Sequence, residues 1–446
     1  MLPNGKIFIQ IASYRDPELI NTIIDLITKS KYKENLVICI GNQININEDK
    51  DCFSHLNKQF EIIGYKKSKN CFLYKQYHLK EGPIIKEIII PHNESKGACW
   101  VRNLIQQKYN NEEYTLQLDS HHRFIKNWDI KLIKWFKYLQ TKGHNKPLIT
   151  AYLPSYNPEN DPKERINEPW QMNFDRFIPE GAIFFIPSQI PNWKQLKEPI
   201  PSRFYSAHFC FTLGEFSREV QHDPNYYFHG EEISIGVRAY TYGYDLFHLH
   251  FPICWHEYTR KLRTKHWDDH KNWNDFNKLS HKRNRILFGM DNEDPNQINF
   301  KEYGFGNVRT LEQYEEWSGI SFKDRAITKE VIYNINPSNN FDSKIYNTRI
   351  EFKNNLEYIF KHYIDIHKSQ LLENDYEFLV VAFHDKDDNT LFRKDVDKTE
   401  YFYLYQENGD WIKILREFNT KIKPEYYVVW PFSKEKGWCE RITGKL

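Results

Sequence analysis

KIFIQIASYRDPELINTIIDLITKS (residues 6–30) decides the fold class. Its apolar residues at 7, 9 and 11 recur with a period of two, which is the pattern of a strand. Leu19, Ile20, Ile23, Ile24 and Ile27 then recur at helical spacing, with Asp16 as N-cap and Pro17 at the first helical position. The unit repeats downstream. LVICIGNQ (36–43), KEIIIP (86–91), YTLQL (114–118) and LITAYLP (148–154) read as strands; GACWVRNLIQQKY (97–109) and NWDIKLIKWFKYLQT (127–141) read as helices. Such alternation predicts an α/β fold, a mostly parallel sheet with helices on both faces. Ligands of these sheets lie beyond the carboxyl ends of the strands. Ser13-Tyr14-Arg15-Asp16, Gly41-Asn42-Gln43 and Asp119-Ser120-His121 all fall at strand ends, so they are expected to face one crevice.

Farther along, residues 155–205 read as long loops around GAIFFIP (181–187). HFCFTLGEF (208–216) follows, then a helix from about 231 to 242 stopped by Gly243, and another strand. Residues 257–330 look helical and charged, and NINPSNNFDS (334–343) is the linker candidate. The expected division is a catalytic domain over 1–333 and a small β-rich accessory domain over 343–446.

Composition narrows the function. In 446 residues, 62 Lys and Arg balance 60 Asp and Glu, and a net charge of +2 argues against a dedicated nucleic-acid binder. No stretch reaches ~18 consecutive apolar residues, so no membrane span is expected. The N-terminus lacks the pattern of a signal peptide. Seven cysteines with no CxxC pair read as reduced, mostly buried thiols of a cytoplasm-like compartment.

Five constellations carry chemistry. Asp119 and His121, two residues apart at a strand end, can point at one divalent cation beside a diphosphate; the same tripeptide also reads as a strand-to-loop turn with a capping Asp. A carboxylate with an imidazole favours Mn²⁺ slightly over Mg²⁺. His256 of PICWHEYTR, in a loop after a strand, suits a third ligand better than its competitors His248 and His250. In His229-Gly230-Glu231-Glu232 the two acids complement a helix dipole, or one grips sugar or acceptor hydroxyls. Gly97 opens a helix whose free N–H groups attract anions, with Arg102 a turn inside; the pattern is neither a Walker A loop nor GxGxxG. At the first strand-to-helix turn Tyr14 can stack on a base and Asp16 can hold its imide or a ribose hydroxyl, or simply cap the helix.

The order of IASYRDPEL, GNQ, GACWVRN, YTLQLDSHHRF with NWD, DPNYYFHGEEISIGVRAYTYGYDLF, WHEYTR and GFGNVRTLEQYEEWSGI resembles a GlcNAc-transferase family over about residues 5–325. That family includes the cytoplasmic enzyme modifying hydroxyproline on the ubiquitin-ligase subunit Skp1. It is related more distantly to polypeptide GalNAc-transferases. The resemblance implies a GT-A fold with a mixed sheet, a UDP-sugar donor (UDP-GlcNAc in known members), a divalent metal, and retention of anomeric configuration. Carried onto this chain, it implies Asp119, His121 and His256 as metal ligands. Ser13, Tyr14, Arg15, Asp16, Gln43, Trp100, Arg102 and Asp119 are expected at the donor, and Glu231 and Glu232 at the catalytic step. The implied acceptor is a hydroxyl on a protein or glycan. A different UDP-sugar such as UDP-Gal or UDP-GalNAc, a non-catalytic sugar- or protein-binding module, and a metal hydrolase on the same triad are the competing readings. The segment after 343 lies outside the resemblance.

Overall fold

A computed structural model describes residues 5–261, 263–373, 375–407 and 409–446. The chain forms two compact units, residues 1–318 with 334–345, and residues 319–333 with 346–446. The expected division at 333–343 is thus drawn differently. Residues 319–333 belong to the second unit because Ala326–Thr328 pairs with Leu356–His367, while the segment read as a linker belongs to the first.

The first unit is built on strands β1 (Ile7–Tyr14), β2 (Leu36–Ile44), β3 (Ile62–Lys69), β4 (Leu73–Leu79), β5 (Ile84–Pro91), β6 (Tyr114–Asp119), β7 (His122–Phe124), β8 (Pro147–Thr150), β9 (Trp170–Phe177), β10 (Ile183–Gln189), β11 (Ile200–Pro201), β12 (Phe209–Leu213), β13 (Asp245–His248) and β14 (Cys254–His256). Its first six α-helices are α1 (Leu19–Lys29), α2 (Cys52–Gln59), α3 (Ala98–Gln106), α4 (Trp128–Thr141), α5 (Phe216–Glu219) and α6 (Glu231–Thr241). Ten strands make one sheet in the order β11-β13-β8-β12-β6-β1-β2-β5-β4-β3. The pairs β1–β2, β1–β6, β2–β5 and β8–β13 are parallel; β12 runs antiparallel to both β6 and β8, and the β3–β4 hairpin adds antiparallel strands at the edge. The sheet is therefore mixed, with helices packed on it, and the β-rich C-terminal segment is present as expected.

Burial explains the positions. All nine residues of β2 are buried, as a central strand covered on both faces requires. Ile23, Leu26 and Ile27 of α1 and Val101 and Ile105 of α3 pack inward. The apolar runs that were legible as strands are these central ones. Strand β3 and helix α2 carry too many exposed polar residues to show a period, and β9, read as loop, pairs with β10.

The second unit has two antiparallel sheets. Ile320–Ser321, Ala326–Thr328, Leu356–His367 and Trp411–Thr420 form one; Thr390–Arg393, Tyr376–His384, Tyr426–Ser433 and Gly437–Trp438 form the path of the other. Alternate residues Ile364 and Ile366, Leu379, Val381 and Phe383, and Ile412 and Ile414 build its core. Among the described residues no helix is long and apolar enough to cross a membrane.

Candidate active site

Strand ends create the site. β6 ends at Asp119 beside the end of β1, with Ala12 in register with Asp119. The chain then turns and re-enters as β7, whose His122 pairs with His256 of β14. That short ladder brings His256, distant in sequence, to the Asp119 turn. His256 thus closes a strand and is not in a loop as expected, and its register with β7 fixes where its ring points.

Three ligand atoms meet there. His121 Nε2 and His256 Nε2 stand 3.0 Å apart. Asp119 Oδ2 stands 3.8 Å from the first and 3.5 Å from the second. Two atoms each about 2.1 Å from one ion stand roughly 3–4 Å apart, so the spacing fits shared coordination. Tautomer fits as well. Asp16 Oδ2 lies 2.7 Å from His121 Nδ1, and a carboxylate only accepts. The proton therefore stays on Nδ1 and the Nε2 lone pair faces the ion site. His208 stacks on His256 with centroids 4.3 Å apart. Burial and neighbouring imidazoles push His256 well below the ordinary histidine value, which keeps it neutral and able to ligate.

Asp119 divides its two oxygens. Oδ1 accepts from Arg102 Nη2 at 2.7 Å while Oδ2 faces the imidazoles. Arg102, on α3, also donates from Nη1 to Glu231 Oε1 at 2.8 Å. Gly97, at φ 104°, opens α3, and a side chain there would meet the Tyr227 ring at 2.7 Å. Burial pushes the Glu231 carboxyl up, but the Arg102 guanidinium foremost outweighs it, and the carboxyl is held at about 2. Glu232 differs. Its oxygens accept from Tyr152 Oη at 2.7 Å and Ala207 N at 2.9 Å, and burial pushes its carboxyl up to about 7.

The crevice has two halves that share Arg102, Asp119, Phe228, Arg260 and Arg263. One is lined by Ser13, Tyr14, Asp16, Gln43, Gly97 and the segment 263–267. The other is lined by Tyr152, Phe184, Phe185, His208, Glu231, Glu232, His256 and Tyr258. Over the first half, Tyr14 Oη donates to Asp269 Oδ2 at 2.7 Å. Gln43 Nε2 donates to Ser13 O at 2.9 Å.

Two expected donor residues lie elsewhere. Arg15 bonds Glu48, Asp49 and Asp269 and lines neither half. Trp100 packs edge-on against Phe72, because two residues along a helix is about 200° around it and so away from Arg102. Asp16 lines the crevice, but its carboxylate is committed to His121, to Ser120 Oγ at 2.7 Å and to the Glu18 N–H at 2.9 Å. His248 is fixed by Thr150 O and Met172 N, and His250 packs on Trp135.

Sequence reasoning missed Arg260, Arg263, His208 and Tyr152. The basic run TRKLRTK directly after the His256 segment was the available signal.

We expect Asp16→Asn to weaken Mn²⁺ binding about 10- to 100-fold while melting stays within a few degrees. Titration calorimetry checks this; unchanged metal affinity with a raised donor KM would return Asp16 to direct nucleotide contact. Arg263 Nη1 lies against the His121 ring, 2.5 Å from Nδ1 and 2.8 Å from Nε2, the atom an ion needs. Arg263→Gln is therefore expected to tighten Mn²⁺ binding about tenfold without nucleotide and to weaken UDP binding by a similar factor, if the crevice-lining guanidinium is what meets the phosphate. Equal shifts of both affinities in one direction would refute the competition.

A strand-end crevice with a carboxylate, two imidazoles and a buried arginine defines a site suited to a metal-bound, anionic ligand. Residues 6–324 match the family described as Glycosyltransferase (GlcNAc), and the chain belongs to that family. No curated protein matches it. Among solved structures it is similar to GalNAc-T7 with UDP, GalNAc and Mn²⁺ (TM-score 0.43, 14% identity, 70% of this chain and 54% of that one), so it spans about half of that relative's length. It is also similar to S. aureus TarS 1-349 in complex with UDP-GlcNAc (TM-score 0.36, 11% identity, 70% of each chain). A third is the mannosyltransferase PcManGT from Pyrobaculum calidifontis with GDP-Man and Mn²⁺ (TM-score 0.35, 7% identity, 58% of this chain and 59% of that one).

Proposed function

We propose that the chain is a divalent-metal-dependent, retaining GT-A glycosyltransferase of the cytoplasm that moves GlcNAc from UDP-GlcNAc to a hydroxyl on a protein or glycan. The observation that carries this reading is the convergence of Asp119 Oδ2, His121 Nε2 and His256 Nε2 beside Arg102, where the two halves of the crevice meet. The choice of GlcNAc follows the family, and retention follows the resemblance to its known members.

A bound divalent ion, Mn²⁺ rather than Mg²⁺ for a site with two imidazoles, would supply positive charge to the departing diphosphate. The protein's own groups do the rest. Arg102 is held by two carboxylates and needs no reorganisation to face developing negative charge. Arg260 and Arg263 line the junction from the segment after His256. Ser13, Tyr14 and Gln43 bind the uridine half. Phe184, Phe185, Phe228 and Tyr258 exclude water around the sugar and acceptor. Glu232, with its carboxyl near neutrality, orients the acceptor hydroxyl and takes up its proton. Glu231 holds Arg102 in place.

The deciding experiment is a screen of UDP-sugars with Mn²⁺, reading UDP release with and without hydroxyl acceptors, and NMR of the product's anomeric proton. UDP-GlcNAc turnover that needs an acceptor and keeps the configuration is expected. Preference for UDP-Gal or UDP-GalNAc would correct the donor. Hydrolysis that no acceptor outcompetes would make the chain a hydrolase, and failure to bind any UDP-sugar would refute the reading.

A further inference from the structure

Behind Arg102, away from the crevice ligands, three side chains face one another in the interior. Cys99 from the first turn of α3, His222 and Glu231 from the first turn of α6 are 0%, 1% and 4% exposed. Cys99 Sγ stands 2.5 Å from Glu231 Oε2, and His222 Nδ1 stands 3.5 Å from the same oxygen.

The hydrogen-bond chain around them leaves a lone pair over. Gln117 Nε2 donates to Ala207 O at 2.6 Å, which fixes the amide's orientation. Its Oε1 therefore faces His222 Nε2, at 2.7 Å, and must accept. The imidazole proton is thus on Nε2, and Nδ1 points inward with no partner among the described residues. An imine nitrogen and a carboxylate oxygen face each other, and the nearby Cys99 thiol hydrogen goes to the carboxylate, not to the imine. An outer acceptor holding the far ring N–H is the arrangement that orients ligating histidines.

We propose that Cys99, His222 and Glu231 form a second metal site, one that takes zinc. Thiolate, imidazole and carboxylate are the donors of that ion. Binding releases the thiol proton to solvent as the S–Zn bond forms, so thiolate and carboxylate neutralise the ion. Arg102 keeps its charge matched by Asp119. The ion ties the starts of α3 and α6 together and so holds the Glu231–Arg102 pair at the crevice wall. The inference stands apart from the proposed activity and from the crevice ion.

Zinc content and cobalt spectra test it on the full chain. Protein purified without chelator is expected to hold one zinc per chain through a brief EDTA wash. Cys99→Ser and His222→Ala should lose that zinc, whereas His256→Ala should keep it. Wild-type protein stripped and reloaded with Co²⁺ should show a thiolate charge-transfer band in the near ultraviolet. That spectrum is read on wild type, so it does not depend on how the variants fold. No thiolate band in cobalt-loaded wild type, or full zinc retention in Cys99→Ser, overturns the proposal.

Discussion

Asp119→Ala is expected to lower turnover by about three orders of magnitude and to abolish measurable Mn²⁺ binding. One carboxylate serves two partners, with Oδ1 on Arg102 and Oδ2 toward His121 and His256. Truncation removes the anionic ligand, and two neutral imidazoles alone hold a hard divalent ion poorly. It also frees one side of Arg102, yet Glu231 still pairs with that guanidinium, so the melting temperature should fall only by a few degrees. Asp119→Asn separates the two roles. Its carbonyl oxygen still accepts from Arg102 and protects the fold, while the missing charge leaves the metal weakly held. Calorimetric titration with Mn²⁺, UDP release and a melt form the test. A variant that binds metal and turns over like wild type but melts far lower would mean that Asp119 is a turn residue and nothing more.

How much of this could be read in the sequence depends on where each interaction lies. β1, β2, β5 and β6 are central strands with continuous apolar runs, so their period was visible; β3 is an exposed, lysine-rich edge strand and β4 beside it is largely polar, and no period marks them. The pairing of β7 with β14 is invisible, because three residues matched across 130 to 134 positions carry no local pattern. The pattern did single out His256 as a ligand candidate, but it could not supply the strand that aims the ring. Asp16 shows the same limit in a single residue. Asp-Pro reads as a helix cap, but the helix begins at Leu19 with Glu18 as its N-cap, and the Asp16 carboxylate accepts the Glu18 N–H in the turn before it. Its second oxygen goes to a histidine 105 positions away, and only the fold brings the two together. Trp100 was drawn to the nucleotide by its type, but helical phase turns it from Arg102 toward Phe72. Charge balance had the opposite fate. Arg102, Glu231 and Asp119 each stood out for their own motif, and the structure makes them one chain of ion pairs.

That chain makes Arg102→Ala the most damaging single change expected in the protein. Arg102 is 4% exposed and donates to Glu231 at 2.8 Å and to Asp119 at 2.7 Å. In protein stripped of metal its removal leaves a buried carboxylate with no cation, and breaking a buried pair from one side costs about 3–5 kcal/mol. Activity falls with it, because Asp119 loses the partner that orients its ligating oxygen. Glu231 sets the pH dependence. In the wild type its carboxyl is held at about 2, below the unfolded value, so the stability it contributes is present above the ordinary glutamate range and is lost as pH falls toward 2. Without Arg102 the burial that pushes the carboxyl up is no longer outweighed. Its folded-state value then exceeds the unfolded one, and the variant gains stability as Glu231 takes up a proton on acidification. The difference between wild type and variant should be largest near pH 7 and shrink toward pH 4. Urea unfolding across that range measures it. A difference that stays constant with pH would show that lost packing around the arginine stem, rather than an uncompensated Glu231 charge, destabilises the variant. Arg102→Lys separates the terms further: it keeps the charge but offers one ammonium where two carboxylates sit on opposite sides of a planar fork, so it should restore part of the stability and little of the turnover.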